Sequence, residues 1–238
     1  MRLTLRELRS LVAEKVRSRS GAFTPGTPNS FNLKQLDRLE GPQMLVYAKH
    51  FLEEIGRGSS RAAFLMTSHS VLKLALNFKG NAQNEAEVDV YTNPKTKAII
   101  AKIFDYHPRY RWVVSELVRP LGEAGDDEFK RLTGVEFWPF IGWVEEISKG
   151  KAFDVEREME DKKIPDSVQD FVFAVGNTIR SNDLKMGDIQ NVDHWGKTSD
   201  SRVVLLDYGF TGEVWDKYYS QPGDDSADPT PDAVTRKA

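Results

Sequence analysis

The chain contains no cysteine. That removes disulfides, thiolate nucleophiles and cysteine-based zinc sites, and it fits a reducing compartment. Histidine is scarce too: His50, His69, His107 and His194 show no metal-ligand spacing. No Gly-x-Ser-x-Gly elbow is present, so acyl transfer has no support. An excess of positive charge is also missing. The net charge of −3 gives no general attraction to nucleic acid or to a membrane surface. No run approaches the roughly eighteen apolar residues of a membrane span. The N-terminal stretch lacks the apolar centre of a secretory signal, so a cytoplasmic location is expected. No internal repeat is visible.

What is present is an ordinary globular composition, with 39% hydrophobic and 29% charged residues over 238 positions. That is enough for one domain or two small lobes. Residues 2–17 place Leu5, Leu8, Val12 and Val16 on one helical face and Arg2, Arg6, Arg9 and Arg17 elsewhere. This helix either packs on its leucine stripe or docks an acidic protein partner. A Pro-, Gly- and Ser-containing linker follows, so residues 1–43 form an N-terminal helix and linker. Residues 44–120 read mainly as strands: Phe51 to Ile55, Arg61 to Met66, Val71 to Leu76, Ala98 to Phe104 and Arg111 to Leu117. A short helix falls near residues 82–91, and a turn near His107-Pro108. Residues 121–220 form a helical half that includes an acidic loop; within it residues 126–181 read as helical, with a second helix from about Ser167 to Arg180. Phe129, Leu132, Val135, Phe137, Trp138, Phe140 and Trp143 supply core bulk there rather than a cofactor pocket. The tail at 221–238 is rich in Asp, Pro and Ser and is expected to be disordered. Strands first and helices second make the fold class α+β.

Four features carry chemistry. Gly56-Arg57-Gly58 lies between two strands, a hairpin in which backbone amides can approach phosphate without a Cβ clash. A dinucleotide fold needs a helix there instead. Lys73 interrupts an apolar strand, where its charge needs a partner unless it faces solvent at a sheet edge. Glu85 and Glu87 lie on the next helix. Glu87 shares a face with Gln83, Val90 and Tyr91, and is preferred over Glu85 as the partner of Lys73. Finally, Gly187-Asp188 through Asp193-His194-Trp195-Gly196 is followed by a hydrophobic strand ending in Asp207-Tyr208-Gly209. Three carboxylates in such a stretch suit Mg²⁺, which prefers hard oxygen ligands.

In this order, Gly56/Gly58, Lys73, Glu87, Ser115-Glu116-Leu117, Asp188, Asp193 and Asp207 resemble the protein-kinase-like superfamily over about residues 45–215. The run from Lys79 to Asn84, with Asp193-His194-Trp195-Gly196 and Asp207-Tyr208-Gly209, is similar to small aminoglycoside-phosphotransferase-like proteins of bacteriophages. The resemblance implies a minimal two-lobed fold with an antiparallel-sheet N-lobe and a truncated helical C-lobe. It implies ATP between the lobes, with Glu116, Leu117 and Val118 beside adenine and Lys73 on the α- and β-phosphates. Two registers fit the acidic loop. Asp183-Leu184-Lys185 mimics the kinase Asp-Leu-Lys, with Asp188 at the Asn position. Alternatively, Gly187-Asp188 matches the phosphotransferase Gly-Asp, with Asp193 at the Asn position. The second leaves the more usual gap to Asp207. Asp188 is then base-like, and Asp193 and Asp207 hold Mg²⁺. The family's third loop glycine is replaced by Arg61, and Met186-Gly187 stands where His-Arg precedes the catalytic Asp. About thirty residues follow Asp207, too few for a peptide-substrate platform. Two functions are compatible with this set: transfer of the γ-phosphoryl group of Mg-ATP to an unknown acceptor, or an inactive kinase-like interaction protein, as a virion component or host-factor binder.

Overall fold

The computed structural model describes residues 31–121 and 125–220. The expected arginine-rich helix and acidic tail lie outside them. The chain divides into two compact units, Met1–Glu85 with Ile103–Leu117 and Lys217–Ala238, and Ala86–Lys102 with Val118–Asp216. No helix among the described residues is long and apolar enough to cross a membrane.

The first unit is built on an antiparallel five-stranded sheet. Its strands are β1 (Glu53–Arg57), β2 (Arg61–Thr67), β3 (Ser70–Ala75), β4 (Ile103–Tyr106) and β5 (Trp112–Glu116), in the order β1-β2-β3-β5-β4. Alternation along a strand sends Phe64, Leu72, Leu74 and Trp112 to one face. There they join Leu36 of α1 (Leu33–Leu36) and Met44 and Ala48 of α2 (Gly41–Phe51) in one buried cluster. Each such large apolar side chain contributes roughly 1.5–3 kcal/mol by leaving water. The strand expected from Phe51 to Ile55 begins only at Glu53, and the start of the segment expected to be mainly strands is helical: Gly41–Phe51 is a helix with Pro42 in its first turn. Proline suits that position because the first amides of a helix have no intrahelical acceptor.

Arg111 ties α1 to the sheet. Its guanidinium donates to the carbonyls of Leu39 at 2.8 Å and Asp37 at 2.9 Å. The Trp112 indole donates to the Asp37 carboxylate at 2.8 Å. His107 is buried beside them. Its Nδ1 accepts from the Arg109 amide at 2.9 Å, and its Nε2 faces the Arg111 guanidinium. Burial first, and the nearby Arg111 charge second, hold the His107 pKa below the ordinary histidine value.

Helix α3 (Phe78–Thr92) is longer than the expected 82–91. Asn77 caps it, accepting from the Gly80 amide at 3.1 Å. The expected strand at Ala98 to Phe104 is displaced: β4 begins at Ile103, and Ile100 makes a single parallel bridge to Leu205.

The second unit is mainly helical: α4 (Gly125–Thr133), α5 (Phe137–Ser148), α6 (Ala152–Asp161), α7 (Asp166–Asn182) and the short α8 (Met186–Ile189). Val168, Val172, Val175 and Ile179 give α7 its buried stripe. The aromatic residues form core, as expected, except Trp138, which is exposed. Phe129, Phe140 and Phe171 surround the fully buried Trp195. A three-stranded sheet, β6 (Arg119–Pro120), β7 (Trp195–Lys197) and β8 (Val203–Leu205), completes the unit. Helix α9 (Gly212–Tyr218) begins in the second unit and ends in the first.

Candidate functional site

The acidic loop of the second unit is fixed at four points. Leu184 bridges to Thr211, and the Lys185 amide donates to the Phe210 carbonyl at 3.0 Å. Ile189, at the end of α8, is buried, and its carbonyl accepts from the Trp195 indole at 2.9 Å. Asn191 opens a 3-10 turn at Val192–His194, its side chain accepting from the Asp193 amide at 3.0 Å. The His194 carbonyl accepts from the Leu206 amide at 2.7 Å, next to Asp207. Strand β8 delivers Asp207 two residues past its end. Tyr208 is buried behind it, with its hydroxyl donating to the Ala101 carbonyl at 2.8 Å.

Asp188 therefore lies on α8, Asp193 in the 3-10 turn and Asp207 at the strand exit, all half-buried. Asp188 Oδ1 lies 3.7 Å from His194 Nδ1. Among the described residues, no three His, Asp or Glu side chains meet as a cluster able to hold a metal ion. Asp183, the other candidate for the base-like position, ends α7 in a left-handed conformation at φ 48°. Short polar side chains tolerate this geometry at a helix C-terminus. Its carboxylate packs over Gly212, where a methyl group would collide with it, and the Gly212 amide donates to its carbonyl at 2.8 Å.

The remaining residues of the predicted set belong largely to the first unit. Lys73 lies on β3, paired with Ala63 on one side and Val113 on the other. β3 is the central strand, so the alternative of a lysine at a sheet edge is corrected. Lys73 is half-buried and points away from the Leu72/Leu74 face. Glu116 ends β5, and the Leu117 amide donates to the His69 carbonyl at 2.8 Å, one residue before the chain passes to the second unit. On α3, Glu87 is 0% exposed, whereas Glu85 is exposed.

The glycine hairpin differs from expectation. Gly56 sits inside β1 opposite Ala63, just past a register shift, and Gly58 closes the turn by donating its amide to the Arg61 carbonyl at 2.9 Å. The turn itself is Ser59-Ser60. Its backbone is tied to the start of α3: the Leu76 amide and the Asn77 side chain donate to the carbonyls of Ser60 and Ser59, at 2.8 and 3.2 Å. The Ser60 hydroxyl donates to Gln83 Oε1 at 2.6 Å. Gly80 permits this approach, because any Cβ there would collide with the Ser60 carbonyl. Gln83 Nε2 in turn donates to the Tyr219 hydroxyl at 3.3 Å.

Sequence reasoning placed His194 in the loop near the site without a role, and it missed Asn191 and the anchoring role of Trp195. Asn191 carried a readable signal, since an Asn two residues before a turn amide is a common cap. The other two depend on contacts between distant elements. Comparison with protein-family models, curated proteins and solved structures finds no match to this chain.

Proposed function

We propose that this protein is a kinase-like phosphotransferase that binds Mg-ATP and passes its γ-phosphoryl group to an acceptor. One observation carries the reading: Lys73 stands on the third strand of an antiparallel sheet, and the helix that follows holds a fully buried glutamate, Glu87. In protein kinases the phosphate-binding lysine is on the third strand and pairs with a glutamate of the next helix. A carboxylate as buried as Glu87 persists only where its charge is compensated.

On this reading, the hairpin that carries Gly56 and Gly58 lies against the phosphates and the Lys73 ammonium binds them. Glu116 and Leu117 border adenine. Asp188 orients the acceptor hydroxyl and takes its proton. The carboxylates of Asp193 and Asp207 supply hard oxygens to Mg²⁺. This ion usually keeps several waters and takes its other oxygens from phosphate, so it needs few carboxylates from the protein. When bound, the ion offsets charge on the phosphates. The protein's own contribution is positioning and fixed dipoles.

The test is thermal unfolding with and without ATP and Mg²⁺ for the wild type, Lys73→Ala and Asp207→Ala. A ligand that binds only the folded state at a hundred times its dissociation constant stabilises by about 2.7 kcal/mol. A rise in the wild type that is lost in both variants is the expected result. An unchanged wild-type melting temperature would sink the phosphotransferase reading and leave the non-catalytic interaction protein in its place.

A further inference from the structure

One polar atom in the loop has no accounted role. His194 Nδ1 is buried and makes no hydrogen bond, the only such side-chain atom among the described residues. An unmade hydrogen bond on a buried nitrogen is costly, and such atoms call for an explanation. Asp188 Oδ1 lies 3.7 Å away, and both side chains are only 27% exposed. The backbone of His194 is held on both sides. Its amide donates to the Asn191 carbonyl at 2.9 Å, and its carbonyl accepts from the Leu206 amide at 2.7 Å. The ring therefore has a fixed base, and Asp188 rides on a short helix whose end is pinned by Trp195.

We propose that His194 is a positioning residue for Asp188: its Nδ1 carries the proton and donates to Asp188 Oδ1, fixing the orientation of the carboxylate. This rests on the reading of Asp188 as the base-like group. A small shift of either side chain closes the distance from 3.7 Å to a hydrogen bond of about 2.9 Å. Hydrogen bonds at such sites are often long without substrate and tighten when it binds. The role requires the proton on one ring nitrogen rather than a change in charge. In water the ring prefers its proton on Nε2, so a proton on Nδ1 reports a specific partner.

Nitrogen-15 NMR of the full chain at pH 8 reads the tautomer directly. The expected result is a protonated Nδ1 in the wild type that reverts to Nε2–H in Asp188→Ala. A bare Nδ1 in the wild type overturns the proposal. Hydrolysis of ATP with Mg²⁺ supplies a second readout. His194→Leu should lower kcat by roughly tenfold to a hundredfold, the scale of a misplaced reacting group, with KM for ATP little changed. His194→Asn, whose amide nitrogen takes the place of Nδ1, should restore most of the rate. Equal loss in both variants, or none in His194→Leu, counts against the role. If the wild type fails to hydrolyse or bind ATP, the phosphotransferase reading falls, while the tautomer still decides the His194–Asp188 contact.

Discussion

The indole Nε1–H of Trp195 donates to the carbonyl of Ile189 at 2.9 Å, with Trp195 fully buried. One side chain thus joins the aromatic core of the second unit to the short helix that carries Asp188. Phenylalanine would keep most of the packing but leave that carbonyl unsatisfied. We expect Trp195→Phe to lower stability by about 1–3 kcal/mol and Trp195→Ala by about 3–5 kcal/mol, measured by urea unfolding. A Trp195→Phe variant as stable as wild type would show that the bond contributes nothing.

Glycines should divide sharply. A Cβ at Gly80 collides with the backbone carbonyl of Ser60 and lies 3.1 Å from the Ala75 backbone. Gly80→Ala should destabilise by about 1–3 kcal/mol, because neither backbone can yield cheaply. Gly142 and Gly187 have open space. Gly142→Ala, on the exposed side of α5, should gain roughly 0.5–1 kcal/mol. Gly187→Ala should change stability by no more than about 0.5 kcal/mol. Thermal melts of the three variants decide the ranking.

His107 makes stability depend on pH. Its folded pKa is depressed, chiefly by burial and then by Arg111, so the unfolded state binds the proton more tightly. The contribution is fully present above the unfolded value of about 6.5 and is lost as pH falls through that value and the lower folded one. Both ring nitrogens face donors, so an added proton sets like against like. Unfolding free energy should therefore fall from pH 7 towards pH 5, and His107→Gln should flatten that part of the slope. The same slope in both proteins would refute the assignment.

Asn191 holds the turn that contains Asp193 and His194. Asn191→Ala removes the acceptor for the Asp193 amide and should cost about 1 kcal/mol, whereas Asn191→Asp keeps the cap and most of the stability. Amide exchange at Asp193 should quicken in the alanine variant. Protection equal to wild type would place the restraint elsewhere.

Much of the fold could be read before any coordinates. The stripe of Val168, Val172, Val175 and Ile179 announced α7, because a helix repeats its buried face every three to four residues. Val203-Val204-Leu205 announced a buried strand. The helical spacing that set Glu87 apart from Glu85 also matches the burial of one and the exposure of the other. The failures have local causes. Residues 44–51 mix apolar and polar types without a clear period, and their helix is settled by packing on the sheet. Gly56 and Gly58 suggested a glycine turn, yet hairpin register moved the turn to Ser59-Ser60. Trp138 was assigned to the core because tryptophan usually is, but it falls on the outward side of α5.

The sequence by itself determined which chemical groups this protein has: carboxylates in one loop, a lysine within an apolar strand, a glutamate on a helical face, and no thiol. Composition and periodicity settle these because they depend only on neighbours along the chain. Tertiary structure decided which groups meet. It put Lys73 on the central strand, set Asp183 at the end of α7 and brought the buried His194 nitrogen beside Asp188. Such pairings depend on how strands register and turns close, and those follow from the simultaneous burial of side chains far apart in sequence.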